Sequence, residues 1–204
     1  MPLKKIYLVR HGQTKFNHLG VVQGRGIDAS LNETGIRQAE MFYQAYKNIA
    51  FEKVYTSSLK RSHESVHKFI MDGIPHEAHD GFDEISWGDH EGVEASEGRN
   101  EYLKNIIRQW DQGKTFLKIQ GGESPQDVAE RQTQVIEKIL SSAEEVILVC
   151  MHGRAIRILL CKLLGLPLSK MDSFAHANLG LYILEYSGEA FNIHLENSTK
   201  HLLD

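Results

Sequence analysis

Glu145-Val146-Ile147-Leu148-Val149-Cys150-Met151-His152-Gly153 is the stretch on which the fold turns. Its apolar run is too short for a helix and rich in β-branched residues, so residues 145–151 read as a buried strand. A strand apolar on both faces suits the middle of a parallel sheet, where helices cover each side. It halts at His152-Gly153, and residues 154–164 follow with helical spacing.

The same grammar recurs outward. Residues 5–9 form an apolar run that stops at Arg10-His11-Gly12, and residues 53–56 form one that ends in Ser57-Ser58. A third strand is expected over 76–84, and 180–186 and 191–195 read as two closing strands. Helices are expected over 33–48, with Asn32 as cap, and over 60–71 and 99–112. A further helix is opened by Ser124-Pro125-Gln126-Asp127, which combines a capping box with proline in the first turn, and runs to about residue 142. Strands alternating with helices predict an α/β domain, a three-layer α/β/α sandwich around a mostly parallel sheet. The helix at 99–112 is expected to form a small cap, and residues 1–204 to form a single domain.

Bulk properties narrow the function. The 204 residues are 41% hydrophobic and 25% charged, with a net charge of −4 and no basic face legible in the pattern. That excludes nucleic acid as the expected partner, but a small basic pocket for an anionic substrate remains compatible with it. Cys150 and Cys161 lie in unlike contexts and read as reduced, buried thiols, which points to the cytoplasm. The N-terminal residues lack the apolar region of a signal peptide, and Lys162, Gly165 and Pro167 break the most apolar later stretch, so no membrane span is expected. A homodimer is expected only by analogy.

In open α/β sheets ligands gather beyond the carboxyl ends of the strands. Arg10, His11, Arg61, Glu84, His152 and Gly153 fall at or just beyond four such ends. Arginine offers a fixed fork of donors for phosphate oxygens. Histidine can attack phosphorus or carry a proton. Two histidines among arginines are expected to have lowered pKa values, which keeps a ring nitrogen free to attack. Gly12 and Gly153 are expected to let backbone amides approach a ligand, and the helix start after Gly153 to favour an anion. The set spells a phosphate pocket, provided that the strand order brings the ends together.

Leu8-Val9-Arg10-His11-Gly12-Gln13-Thr14 with Asn17 resembles the signature of the histidine phosphatase superfamily, which includes the phosphoglycerate mutases. Further segments follow in that family's order: Gln23-Gly24, residues 31–35, residues 56–61 with Arg61, residues 82–92 with Glu84, Gly121-Gly122-Glu123-Ser124, and residues 151–157 with His152. The resemblance implies a phosphoglycerate mutase-like fold and a phosphohistidine on His11. It implies that Arg10, Arg61 and His152 hold the phosphoryl group and that Glu84 is the general acid. Asn17 would contact the phosphoryl group, with Gln23 and Gly24 bordering a small phosphorylated substrate. It implies no metal and no organic cofactor.

The sequence departs from the common pattern at Gln13, Ser65, Met151 and Arg154. Arg154 stands where mutases tend to have asparagine; it reads either as a solvated helix-start residue or as a contact for an extra anionic group on the substrate. In the mutases that the chain resembles, a long insertion between the acid and the second histidine covers the site; by that resemblance the short span from Glu84 to His152 implies a phosphatase rather than a mutase. Trp87 and Tyr102 read as core, although with Phe16 and Arg99 they are also candidates to contact a sugar, a nucleoside or an aromatic ring. His63 and His67, four apart on a helix, read as a surface face. Two alternatives stay open here: a metal-dependent phosphoesterase built on His11, Glu84 and His152, and a non-catalytic phospholigand module.

Overall fold

A computed structural model describes residues 3–94 and 96–203, with Arg99 described in its backbone only. Six strands form one sheet in the order β3-β2-β4-β1-β5-β6. They are β1 (Lys4–Arg10), β2 (Lys53–Thr56), β3 (His76–Ala78), β4 (Val146–Met151), β5 (Leu181–Tyr186) and β6 (Phe191–Ser198). β1, β2, β3 and β4 run parallel, and β5 and β6 close the edge as an antiparallel pair.

Strand side chains alternate between faces, and the core divides accordingly. Ile6, Leu8, Ile147, Val149 and Met151 pack on one side with α5 (Pro125–Ser141) and α6 (Gly153–Leu163). Tyr7, Val9, Leu148 and Cys150 pack on the other with Phe42 of α2 (Glu33–Tyr46) and Val66 and Phe69 of α3 (Lys60–Met71). Helices thus cover both faces of a mostly parallel sheet, as the sequence predicts. Asn32 caps α2 by accepting from the Gly35 amide, and the Ser124–Asp127 capping box is formed.

Three expectations change. A short helix α1 (Lys15–His18), capped by Thr14, stands in a segment expected to be loop. The third strand is only His76–Ala78, because β2 offers three partners, Val54, Tyr55 and Thr56, and ends there. A 3-10 turn, Asp80–Phe82, then carries the chain to Glu84, which is therefore not at a strand end. The helix α4 (Glu97–Asp111) is more than a cap: Trp110 is completely buried in the main core, and its Nε1–H donates to the Leu117 carbonyl at 2.8 Å. Trp87 and Tyr102 pack against the same core, as expected.

Candidate active site

The strand order resolves the convergence. β1 and β4 are adjacent, with Arg10 level with Met151, so His11 and His152 emerge side by side. Their rings lie 5.1 Å apart, centroid to centroid. β2, on the far side of β4, ends at Thr56, and Arg61 follows in the first turn of α3.

His11 is buried, and its Nδ1–H donates to the Gly12 carbonyl at 2.7 Å. A neutral ring bonded in this way keeps its lone pair on Nε2. Its pKa is held well below 6.5, by burial first and by Arg10 and Arg61 next. His152 is shifted in the same direction, again by burial and then by Arg61. The arginines act as expected, but burial is the larger cause.

Arg61 is completely buried. Its Nε–H donates to His152 Nδ1 at 3.2 Å, its Nη1 to the Ile27 carbonyl and its Nη2 to the Gly24 carbonyl at 3.1 Å. Because an arginine only donates, His152 must carry its proton on Nε2, which sits 2.7 Å from Ser57 Oγ. Both ring nitrogens of His152 therefore have protein partners, and the ring's clearest task is to orient Arg61. Ser57, to which the 56–61 motif assigns no role, completes that arrangement and bonds on to Ser62 Oγ at 2.7 Å.

Glu84 is buried beside them. Its carboxylate accepts from the amides of Ile85 at 3.0 Å, Ala155 at 2.9 Å and Arg154 at 3.1 Å. The first amides of α6 do bind an anion, as a helix N-terminus favours, but that anion is the protein's own Glu84. Arg131 fastens the same segment from behind, donating to the Glu84 carbonyl at 3.0 Å and to Glu123.

The remaining residues divide. Asn17 accepts through Oδ1 from Asn178 Nδ2 at 3.2 Å and from the Thr14 amide, which leaves its own Nδ2 without a protein partner among the described residues. Asn178 Nδ2 also donates to the His11 carbonyl at 2.9 Å. Gln23 accepts from Thr14 Oγ1 at 2.7 Å, and its buried Nε2 is a donor without a protein partner among the described residues. Gly12 does not serve as expected, and both glycines have a packing role. The Gly12 amide is taken by Ser65 Oγ at 2.8 Å, and a Cβ there would come within 2.8 Å of the Gly35 carbonyl. A Cβ on Gly153 would come within 3.1 Å of the His176 ring. Both glycines permit close packing within the protein.

Arg154 is not a solvated helix-start residue. Its Nη1 donates to Asp172 at 2.6 Å, and its guanidinium carbon lies 5.8 Å from the rings of both Trp87 and Trp110. Arg157 donates to the same Asp172 oxygen. His63 lies 5.3 Å from His67 and 5.2 Å from His76, ring to ring, yet among the described residues no group of three His, Cys, Asp or Glu side chains could hold a metal ion. Among the described residues, no helix is long and apolar enough to cross a membrane.

An imidazole with a free nitrogen, flanked by the buried Arg61 and the half-buried Arg10 at the carboxyl end of a parallel sheet, defines a protein that handles phosphoryl groups. The profile of the histidine phosphatase superfamily (branch 1) matches residues 6–199, and the chain belongs to that family as one of its phosphatases. It is 29% identical over 201 residues to phosphoserine phosphatase 1 of Hydrogenobacter thermophilus, covering 97% of this chain and 94% of that one. A solved variant of a phosphoserine phosphatase from Entamoeba histolytica, in complex with phosphoserine, superposes with a TM-score of 0.84 at 26% identity, over 98% of this chain and all of that one. Bacillus stearothermophilus YhfR superposes with a TM-score of 0.85 at 25% identity, over 98% and 100%.

Proposed function

We propose that the protein hydrolyses a small phosphomonoester through a phosphohistidine on His11. The observation that carries this is the bond from His11 Nδ1–H to Gly12, which leaves Nε2 as a neutral nucleophile between Arg10, Arg61 and His152. In the first step the ester, entering as its monoanion, passes its proton to the Glu84 carboxylate; a bond then forms from Nε2 to phosphorus as the ester P–O bond breaks, and Glu84 gives that proton to the leaving oxygen. In the second, water attacks phosphorus, the N–P bond breaks, and Glu84 takes a proton from the water. The transferred group is stabilised by position and charge: Arg10 and the two unused N–H groups of Arg61 face its oxygens, and His152 fixes Arg61. Asn17 Nδ2 and Gln23 Nε2 supply further donors, and Gly24 borders the substrate while its carbonyl anchors Arg61. Gly153 seats the wall beside them.

No metal or cofactor is needed for these steps, so turnover is expected to survive EDTA. Arg154 reads a second anionic group on the leaving alcohol, with Asp172 holding it in place until substrate arrives. The phosphoserine phosphatases among the relatives support a compact, charged substrate of this kind.

The test is rapid quenching with 32P-labelled phosphoserine. Acid-labile label should appear on the protein and vanish in His11→Ala together with turnover. Turnover that persists without His11 refutes the assignment.

A further inference from the structure

Arg10 is steered by a residue outside every motif of the family signature. Its Nη1 donates to the backbone carbonyl of His176 at 2.7 Å and lies 3.0 Å from Nδ1 of the same residue. A guanidinium has no lone pair to offer, so the His176 ring accepts at Nδ1 and carries its proton on Nε2. Both hydrogens of Nη1 are thereby used on one residue. Three N–H groups remain, on Nε and Nη2, without a protein partner among the described residues, and Nε is buried. The Nε–Nη2 edge presents two parallel donors, the arrangement that suits two oxygens of one phosphoryl group.

The ring is held where this requires. It lies against Gly153, where a Cβ would come within 3.1 Å of Nδ1. Asn178, two residues on, ties the same segment to the His11 carbonyl and to Asn17. Burial first and Arg10 second lower the His176 pKa to about 4, so the accepting form prevails at neutral pH.

We propose that His176 is a positioning residue: by accepting from Arg10 at Nδ1 it turns the Nε–Nη2 edge of Arg10 towards the phosphoryl group and so sets the affinity of the site for phosphate. This rests on the proposed phosphatase site and adds a residue to it.

The experiment compares His176→Phe and His176→Ala, which remove the acceptor, with His176→Asn, whose Oδ1 falls near the position of Nδ1. The readouts are kcat and KM for p-nitrophenyl phosphate and competitive inhibition by inorganic phosphate. One charge-assisted hydrogen bond is lost while the backbone carbonyl contact persists, so KM and the phosphate inhibition constant should rise about tenfold in the Phe and Ala variants. His176→Asn should stay within about threefold of the parent protein, because the acceptor is restored. Folding of each variant is checked by its thermal melt. Folded Phe and Ala variants with unchanged phosphate inhibition overturn the inference, as does an Asn variant as impaired as they are. A parent protein that neither turns over phosphomonoesters nor is inhibited by phosphate overturns the phosphatase site instead.

Discussion

Replacing Glu84 by glutamine separates the structural job of its carboxylate from the chemical one proposed for it. In the free site Oε1 accepts from Ile85 and Ala155, and Oε2 accepts from Arg154. A carboxamide has one oxygen; placed at Oε1 it keeps two of these bonds, and its NH2 then faces the Arg154 amide, donor against donor. One hydrogen bond to a charged group is lost, worth about 1.5–3 kcal/mol. For a domain of this size that lowers the melting temperature by about 3–12 °C. The chemical job is lost as well, because the amide has no proton to give. General acid catalysis contributes roughly 10²–10⁴-fold, so phosphoserine turnover should fall within that range. A phenolate such as p-nitrophenolate leaves without a proton, so hydrolysis of p-nitrophenyl phosphate should fall far less. The assay measures kcat/KM for both substrates on the same preparation, with its melt. Equal slowing of the two substrates refutes the general-acid role, and an unchanged melt refutes the structural one.

Three further outcomes are expected. His11, His152 and His176 have folded pKa values below the unfolded value, so below about pH 6.5 the unfolded chain binds more protons than the native one. Stability should therefore be full above that pH and decline as pH falls from about 6.5 to 5, with a flat melting curve across that window as the contrary result. Trp110→Ala removes a completely buried side chain and its bond to Leu117, which should cost about 3–5 kcal/mol; a chemical-denaturation midpoint near the parent value would exclude this. Arg154→Ala should raise KM more for phosphoserine than for p-nitrophenyl phosphate, and equal effects on the two would remove Arg154 from substrate recognition.

Most of the sheet was legible because its strands are short apolar runs bounded by polar turns. β1, β2 and β4 are read within a residue or two, since Val9, Thr56 and Met151 each precede an abrupt change in polarity. The end of the third strand is not legible in the sequence because it is set by the length of β2, which is information from a partner strand. The set of Arg10, His11, Arg61, Glu84 and His152 was legible from types and order, and the sheet does bring them together. What each side chain touches was not. Nothing near Gly153 in the sequence announces that it adjoins the imidazole of a residue 23 positions away in the chain. His176 and Asn178 carry no local signal; a histidine and an asparagine just ahead of β5 become informative only once β5 is known to lie beside β1.

The attachment of Glu84 to the start of α6 has an evolutionary consequence. Glu84, the proposed acid, and His152 are held by one rigid element, and the separation of that element from His11 is set by strand pairing. The segment between Ile85 and α4 is thereby relieved of placing catalytic groups. It can lengthen, shorten or change composition between descendants, altering which alcohols are admitted, while the machinery for moving the phosphoryl group stays intact.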